Sequence, residues 1–216
     1  MDEALEIIAR KLVPRDWNLC DFEGGGFSRS GSSGLIYQLR LDILEKNYGL
    51  RLNPSLGVRD PMIGDLVSRF IGLPHAGSEC SGLASVGMSL SGFLYEMRGS
   101  MDSVGQWSIL RGEDVQEKVQ ALHVDVILAE DYFFNKFSER VSVVKYLERV
   151  WCDQFQVRQL AVGQALQGRR GDAISTLGKY ADMVQGEPPM VADQARLFIR
   201  SFVEYFNIEE HGLEGV

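Results

Sequence analysis

The chain has 216 residues, 45% of them apolar and 24% charged, which is enough to bury a sizeable core and excludes collagen-like, low-complexity and wholly disordered classes. Thirty acidic residues against 22 Lys and Arg leave a formal charge of −8, which argues against sequence-independent attraction to nucleic acid, a property that needs a basic surface. The opening MDEALEIIARKLVP lacks the basic start and apolar stretch of a secretory signal, and no run approaches the roughly twenty apolar residues that span a bilayer, so cytoplasmic residence is the expectation.

In chain order, Leu5, Ile8 and Leu12 recur at helical spacing, with acids in the first turns and Arg10 and Lys11 near the end, an arrangement that suits the helix dipole. Pro14 closes this helix. Three cysteines, Cys20, Cys80 and Cys152, are widely spaced and form no CxxC pair; neither a disulfide framework nor a zinc cage is expected from them, and they read as ordinary thiols.

The stretch GGGFSRSGSSGL, residues 24–35, is rich in glycine and serine. Counted from Gly26, it places Gly31 and Ser33 on the phosphate-loop template G-x-x-x-x-G-K-[ST], but Ser32 stands where the template has lysine, and a strand rather than a helix follows. It therefore reads as a short strand, Phe27 to Ser30, and a reversal over Gly31 to Gly34. Leu35, Tyr37, Leu39, Leu41 and Ile43 then alternate with polar residues, and Leu50, Leu52, Leu56 and Val58 do the same, so the two runs form a hairpin. A two-residue connection sets Leu41 against Leu52, a four-residue one sets it against Pro54, and both keep the apolar faces together. Pro54, lacking an amide donor, calls for an edge strand or a bulge.

Asp60 and Pro61 read as the cap and first turn of a helix carrying Ile63, Leu66, Val67 and Phe70. The loop GLPHAGSECSG gives way to Ala84, Val86, Met88 and Leu90 in alternation, then Phe93, Tyr95 and Met97, read as two strands, with a further short strand around Trp107 and Ile109. From Glu113 the chain is helical. Val115, Val119, Leu122, Val126, Ala129 and Phe133 form one stripe; helices follow around Val143, Leu147 and Val150, across 154–185 with a break at GRRGD, and from Val191 to Tyr205. The segment LAVGQALQGRRGDAISTLGKYADMV resembles a single tetratricopeptide-type hairpin, too little for a solenoid, and reads as a plain helix pair.

Strands first and helices afterwards predict an α+β fold: a mainly antiparallel sheet packed with helices over residues 1–137, and an all-helical annex over 138–216. His75 and Cys80 share one loop and suggest a Cys/His nucleophile pair or two metal ligands, but nothing adjacent supplies the orienting third group or further ligands. His123, beside the apolar stripe, reads as a hydrogen-bonded structural histidine, and His211 as an exposed residue of the tail. The helix from Glu113 to Asp131 carries six acids and one lysine; at one hundred degrees per residue Asp114, Glu117 and Asp125 project away from the apolar stripe, as an exposed acidic face that docks a basic protein.

The succession SRSGSSGLIYQLRLDI, YGLRLNPSLGVRD and QWSI, followed by an acidic helix and FSERVSVVKYLE, resembles a group of uncharacterised bacterial α+β domains over roughly residues 20–150. The shared pattern is a hairpin ending in Asn53, Gly57 and Val58 and a later tryptophan strand at Trp107; the Gly/Ser-rich 72–92 region departs from it. The resemblance implies immunity-like or antitoxin-like binding without a catalytic motif, and transfers no functional residue. The leading expectation is thus a non-enzymatic bacterial cytoplasmic binding protein, an immunity protein that neutralises a basic toxin, with no cofactor, metal, nucleic acid or membrane and an oligomeric state the sequence leaves open. The alternative is a small hydrolase with its site at His75 and Cys80 or beside Tyr95 and Trp107; a third reading makes the C-terminal helices an adaptor for peptides.

Overall fold

The computed structural model describes residues 2–20, 25–73, 82–99, 107–150 and 153–208. The chain divides into two compact units, one of Met1–Arg59 with Val86–Ser138 and one of Asp60–Ser85 with Glu139–Val216. An α+β N-terminal region with an antiparallel sheet is followed by a helical C-terminal segment, as the order of periodicities predicts. Residues 60–85, expected within the first domain, instead group with the helices that follow residue 138. None of the described helices is long and apolar enough to cross a membrane.

In the sheet unit, helix α1 (Asp2–Leu12) and a 3-10 turn (Val13–Arg15) lead into β1 (Asn18–Cys20), β2 (Gly26–Ser30), β3 (Ile36–Lys46) and β4 (Gly49–Arg59). These pair antiparallel in that order, and β5 (Val86–Ser89) and β6 (Ile109–Leu110) both pair with the other side of β4. The serine- and glycine-rich stretch turns a corner: Gly31 N donates to Leu35 O, while Ser33 and Gly34 adopt left-handed conformations at φ 60° and 73°.

The β3–β4 register sets Leu41 opposite Pro54 and closes with Lys46 opposite Gly49, leaving only Asn47 and Tyr48 in the connection. The register expected of a four-residue loop is thus reached by a two-residue one, because pairing continues to the tip. β4 is central, yet Pro54 fits. Leu41 N donates to Gly25 O on the side away from β4, so the Leu41–Pro54 pair exchanges no hydrogen bonds. Pro54 therefore aims its missing donor at the opposite edge of β4, in the gap between the β6 ladder at Gly49–Leu50 and the β5 ladder at Ser55–Val58.

Phe93, Tyr95 and Met97, read as the second of these strands, lie instead on a helix, α3 (Leu90–Arg98), which begins at the last residue of the first and buries Leu90, Phe93 and Leu94. Ser89 caps it by accepting from Gly92 N at 3.0 Å, and Gly99 ends it at φ 70°. Leu90, Phe93, Leu94 and Met97 follow the i, i+3, i+4, i+7 pattern that the preceding alternation masks. Trp107 stands in the turn before β6, not within the strand. Helix α4 (Val115–Ala129) passes into a π-helical segment (Glu130–Phe134). Cys20 is disulfide-bonded, contrary to its reading as an ordinary thiol.

The helical unit contains α2 (Pro61–Phe70), α5 (Arg140–Leu147), α6 (Gln154–Leu166), α7 (Arg170–Met183) and α8 (Pro189–Phe206). Its core joins Ile63, Val67, Phe70, Val162, Leu177, Phe198 and Phe202. The wholly buried Asp60 carboxylate accepts from Met62 N and Ile63 N at the start of α2 and from Arg140 Nε and Nη2 at the start of α5. One side chain therefore caps one helix and anchors another. α6 approaches α2 and α5 closely at Gly163, where an added Cβ lies 2.6 Å from Val144 Cγ2 and 3.2 Å from Ile63 Cδ1. Gly163→Ala is therefore expected to destabilise the protein by about 1–3 kcal/mol through overpacking, despite alanine's better helix propensity. Gly178→Ala, facing open space on α7, is expected to stabilise it by about 0.5–1 kcal/mol. Urea denaturation of the two variants beside the wild type distinguishes these effects.

Candidate functional site

Helix α4 organises the sheet unit and presents three different faces. Its core face carries Val119, Leu122 and Val126, all buried. Asp114 caps the helix by accepting from Gln116 N at 2.8 Å. The adjacent Glu113 accepts from Leu110 N at 2.7 Å, which holds its carboxyl below the ordinary carboxylate range.

Asp125 corrects the sequence reading. It is only 4% exposed and does not belong to an outward acidic face: Oδ1 accepts from Arg98 Nη2 at 2.8 Å and Oδ2 from Trp107 Nε1 at 3.1 Å. The angular argument places it away from the main apolar stripe correctly, but α3 and the Trp107 turn cover that flank as well. Trp107 is buried with its N–H used in this contact, and Tyr95 is half-exposed on α3. His75, Cys80 and His211 lie outside the described residues.

A second buried carboxylate follows one turn later. The wider π-helical turn brings Glu130 inward along with Phe133 and Phe134. Glu130 Oε1 accepts from Trp17 Nε1 at 2.6 Å and from Arg29 Nη1 at 3.1 Å, while Oε2 accepts from Arg15 through Nε and Nη2. The Arg29 guanidinium also lies 5.1 Å from the Trp17 ring and 5.6 Å from that of Tyr37, and Tyr37 stacks on Phe134 with 4.6 Å between centroids. Sequence reasoning missed Glu130, Trp17 and Arg29. The available signal was the tryptophan itself, since a buried indole N–H demands an acceptor.

The outward face of α4 is composed differently. Glu117, Val124, Leu128 and, just beyond the helix, Asp131 recur at intervals of seven, four and three, which aligns them along one stripe. Glu117 and Asp131 are exposed, Val124 is 52% exposed, the neighbouring Tyr132 54%, and Leu128 is half-buried. Apolar side chains thus meet solvent between carboxylates.

The helical unit has its own cleft of about 290 Å³, lined by Leu147, Val157, Leu160 and Met183 with Lys179 and Asp182 at its border. Two of its polar side chains, Glu148 and Thr176, are engaged internally. Glu148 pairs with Arg169 at 2.6 Å and accepts from Gln164 Nε2, and Thr176 Oγ1 donates to Gln164 Oε1. Among the described residues no three His, Cys, Asp or Glu side chains come together as metal ligands.

The chain matches no family model, no curated protein and no solved structure. What α4 can do is therefore read from its own chemistry. A helix fixed on its inner side by two buried carboxylates offers an outer stripe in which apolar side chains lie between exposed carboxylates. Glu130→Ala is expected to cost about 3 kcal/mol, because it strands the Trp17 N–H and the partly buried Arg29 cation. Arg15→Ala, which removes a half-exposed partner, is expected to cost no more than about 1 kcal/mol. Equilibrium denaturation of both variants measures the difference.

Proposed function

We propose that this chain is a non-enzymatic bacterial protein-binding module that recognises a basic protein, in the manner of an immunity protein covering a cationic toxin, through the outward face of α4. The observation that carries this reading is the stripe of Glu117, Val124, Leu128 and Asp131 beside exposed Tyr132. The charge of −8 favours encounter with a cationic surface, and the carboxylates set its orientation. Val124 and Tyr132 then provide the apolar centre of an interface with an acidic rim, the arrangement in which central aromatic and aliphatic contacts carry most of the affinity.

Two of the acids that the sequence puts forward have other duties. Asp125 serves the interior, and Asp114 caps α4, so its replacement would cost about 1 kcal/mol of helix stability and confuse a binding result. Glu117 and Asp131 are the residues to reverse. Capture from the native cell with the wild type, Glu117→Lys/Asp131→Lys, Val124→Asp and a control, Asp172→Lys/Asp193→Lys on the helical unit, tests the proposal. A basic protein retained by the wild type and the control should associate about tenfold or more slowly with the Glu117/Asp131 variant at low salt, with the gap closing as salt rises, and should dissociate faster from Val124→Asp. Equal kinetics for all four proteins would remove the α4 face from the interface.

A further inference from the structure

His123 lies on the side of α4 that packs against α1. Both ring nitrogens are buried with no hydrogen-bond partner among the described residues, contrary to the hydrogen-bonded role expected of it. The ring sits among Ile8, Leu12, Leu39 and Val119, with Lys11 beside it. Among the described residues, Lys11, Arg15 and Glu130 are the charged groups that bear on it. Lys11 on α1 donates to Gln120 Oε1 at 2.6 Å; Arg15 follows in the 3-10 turn; the nearby anion is Glu130, whose oxygens already accept from Arg15, Arg29 and Trp17. From β3 the neighbour is apolar Leu39. A neutral imidazole leaves one N–H and one lone pair without partners here. An imidazolium adds a buried cation close to the more exposed Lys11 and Arg15 charges, a costlier state.

We propose that His123 makes the docking of α1 on α4 acid-sensitive: protonation drives the ring toward water and loosens α1, uncovering Ile8 and Leu12 on one side and Val119 and Leu122 on the other. Burial, with the Lys11 and Arg15 charges adding to it, holds the imidazole below its ordinary value of 6.5. A base whose folded-state value is depressed contributes full stability above the unfolded value and loses it as pH falls from there to the folded value. The contact is therefore intact at neutral pH and weakens in mild acid. This inference is independent of the outward face of α4, because His123 points toward α1.

The test uses the full chain. NMR titration of the histidine imidazoles, with the His123 signal assigned by its loss in His123→Gln, is paired with hydrogen exchange of the Leu5–Leu12 amides against those of β3 at about pH 7.5 and about pH 5.5, on either side of the ordinary histidine value. After correction for intrinsic rates, the expected result is a His123 that titrates below the ordinary histidine value, with α1 losing protection several-fold relative to β3 in the wild type and not in His123→Leu. A His123 that titrates at or above the ordinary value, or an α1 whose protection keeps pace with β3 on acidification, overturns the proposal. Should His123→Leu fail to fold, the wild-type titration and exchange decide between these outcomes by themselves.

Discussion

A buried carboxylate must find a cation and fill its remaining lone pairs, and among the described residues this acidic protein meets that demand three times. Asp60 takes Arg140 and the amides of α2, Asp125 takes Arg98 and the Trp107 indole, and Glu130 takes Arg15, Arg29 and the Trp17 indole. Arginine is the partner each time, as expected where a planar, multiply donating cation matches a carboxylate. Such pairs add little net stability over apolar packing, because desolvation offsets most of the attraction. Their effect is positional: each carboxylate is satisfied in one arrangement only, so each sets one helix against a particular neighbour.

Within the helical unit this explains how residues 60–85 join a core completed only after residue 138. Composition favours no such excursion, and a continuous division of the sequence is the natural reading. Asp60 is legible as a helix cap, since Asp-Pro before an apolar run is a strong local signal. Its second role, holding Arg140, spans eighty positions and leaves no local trace. The same distinction separates what could be read from what could not elsewhere. Alternation from Leu39 to Ile43 and from Leu50 to Val58 reflects a sheet with a buried face, so the hairpin was legible. The strand read over Phe93 to Met97 was not, because a run that begins in alternation at Val86 and ends in helical spacing satisfies both periods for several residues.

The candidate surface was half legible for a related reason. Helical geometry assigns every residue an angle, and on that basis Asp114, Glu117 and Asp125 separate from the apolar stripe. An angle does not say how much of a helix its neighbours cover. α4 is enclosed on more than one flank, by α1 where His123 lies and by α3 and the Trp107 turn where Asp125 lies, so that acidity alone misplaces Asp125. The residues left outside are those a charge count ignores: Val124 and Tyr132, apolar or amphipathic and about half-exposed, with Glu117 and Asp131 at their sides.

The link between the buried carboxylates and the outward stripe is rigidity. A binding surface loses affinity to whatever ordering it must undergo on contact, so a helix already held by its inner face forfeits less. Asp125 and Glu130, through their arginines and tryptophans, fix both the rotation of α4 and the position of the π-helical turn that places Asp131 and Tyr132. A change at either carboxylate would therefore shift the spacing of the outer residues without touching them. α1 is the exception in this arrangement: among the described residues, the inner contact at His123 has unfilled hydrogen-bonding groups and the contacts at Asp125 and Glu130 have none. The protein thus combines two firmly specified attachments of α4 with a third that, on the proposal above, answers to the protonation of His123.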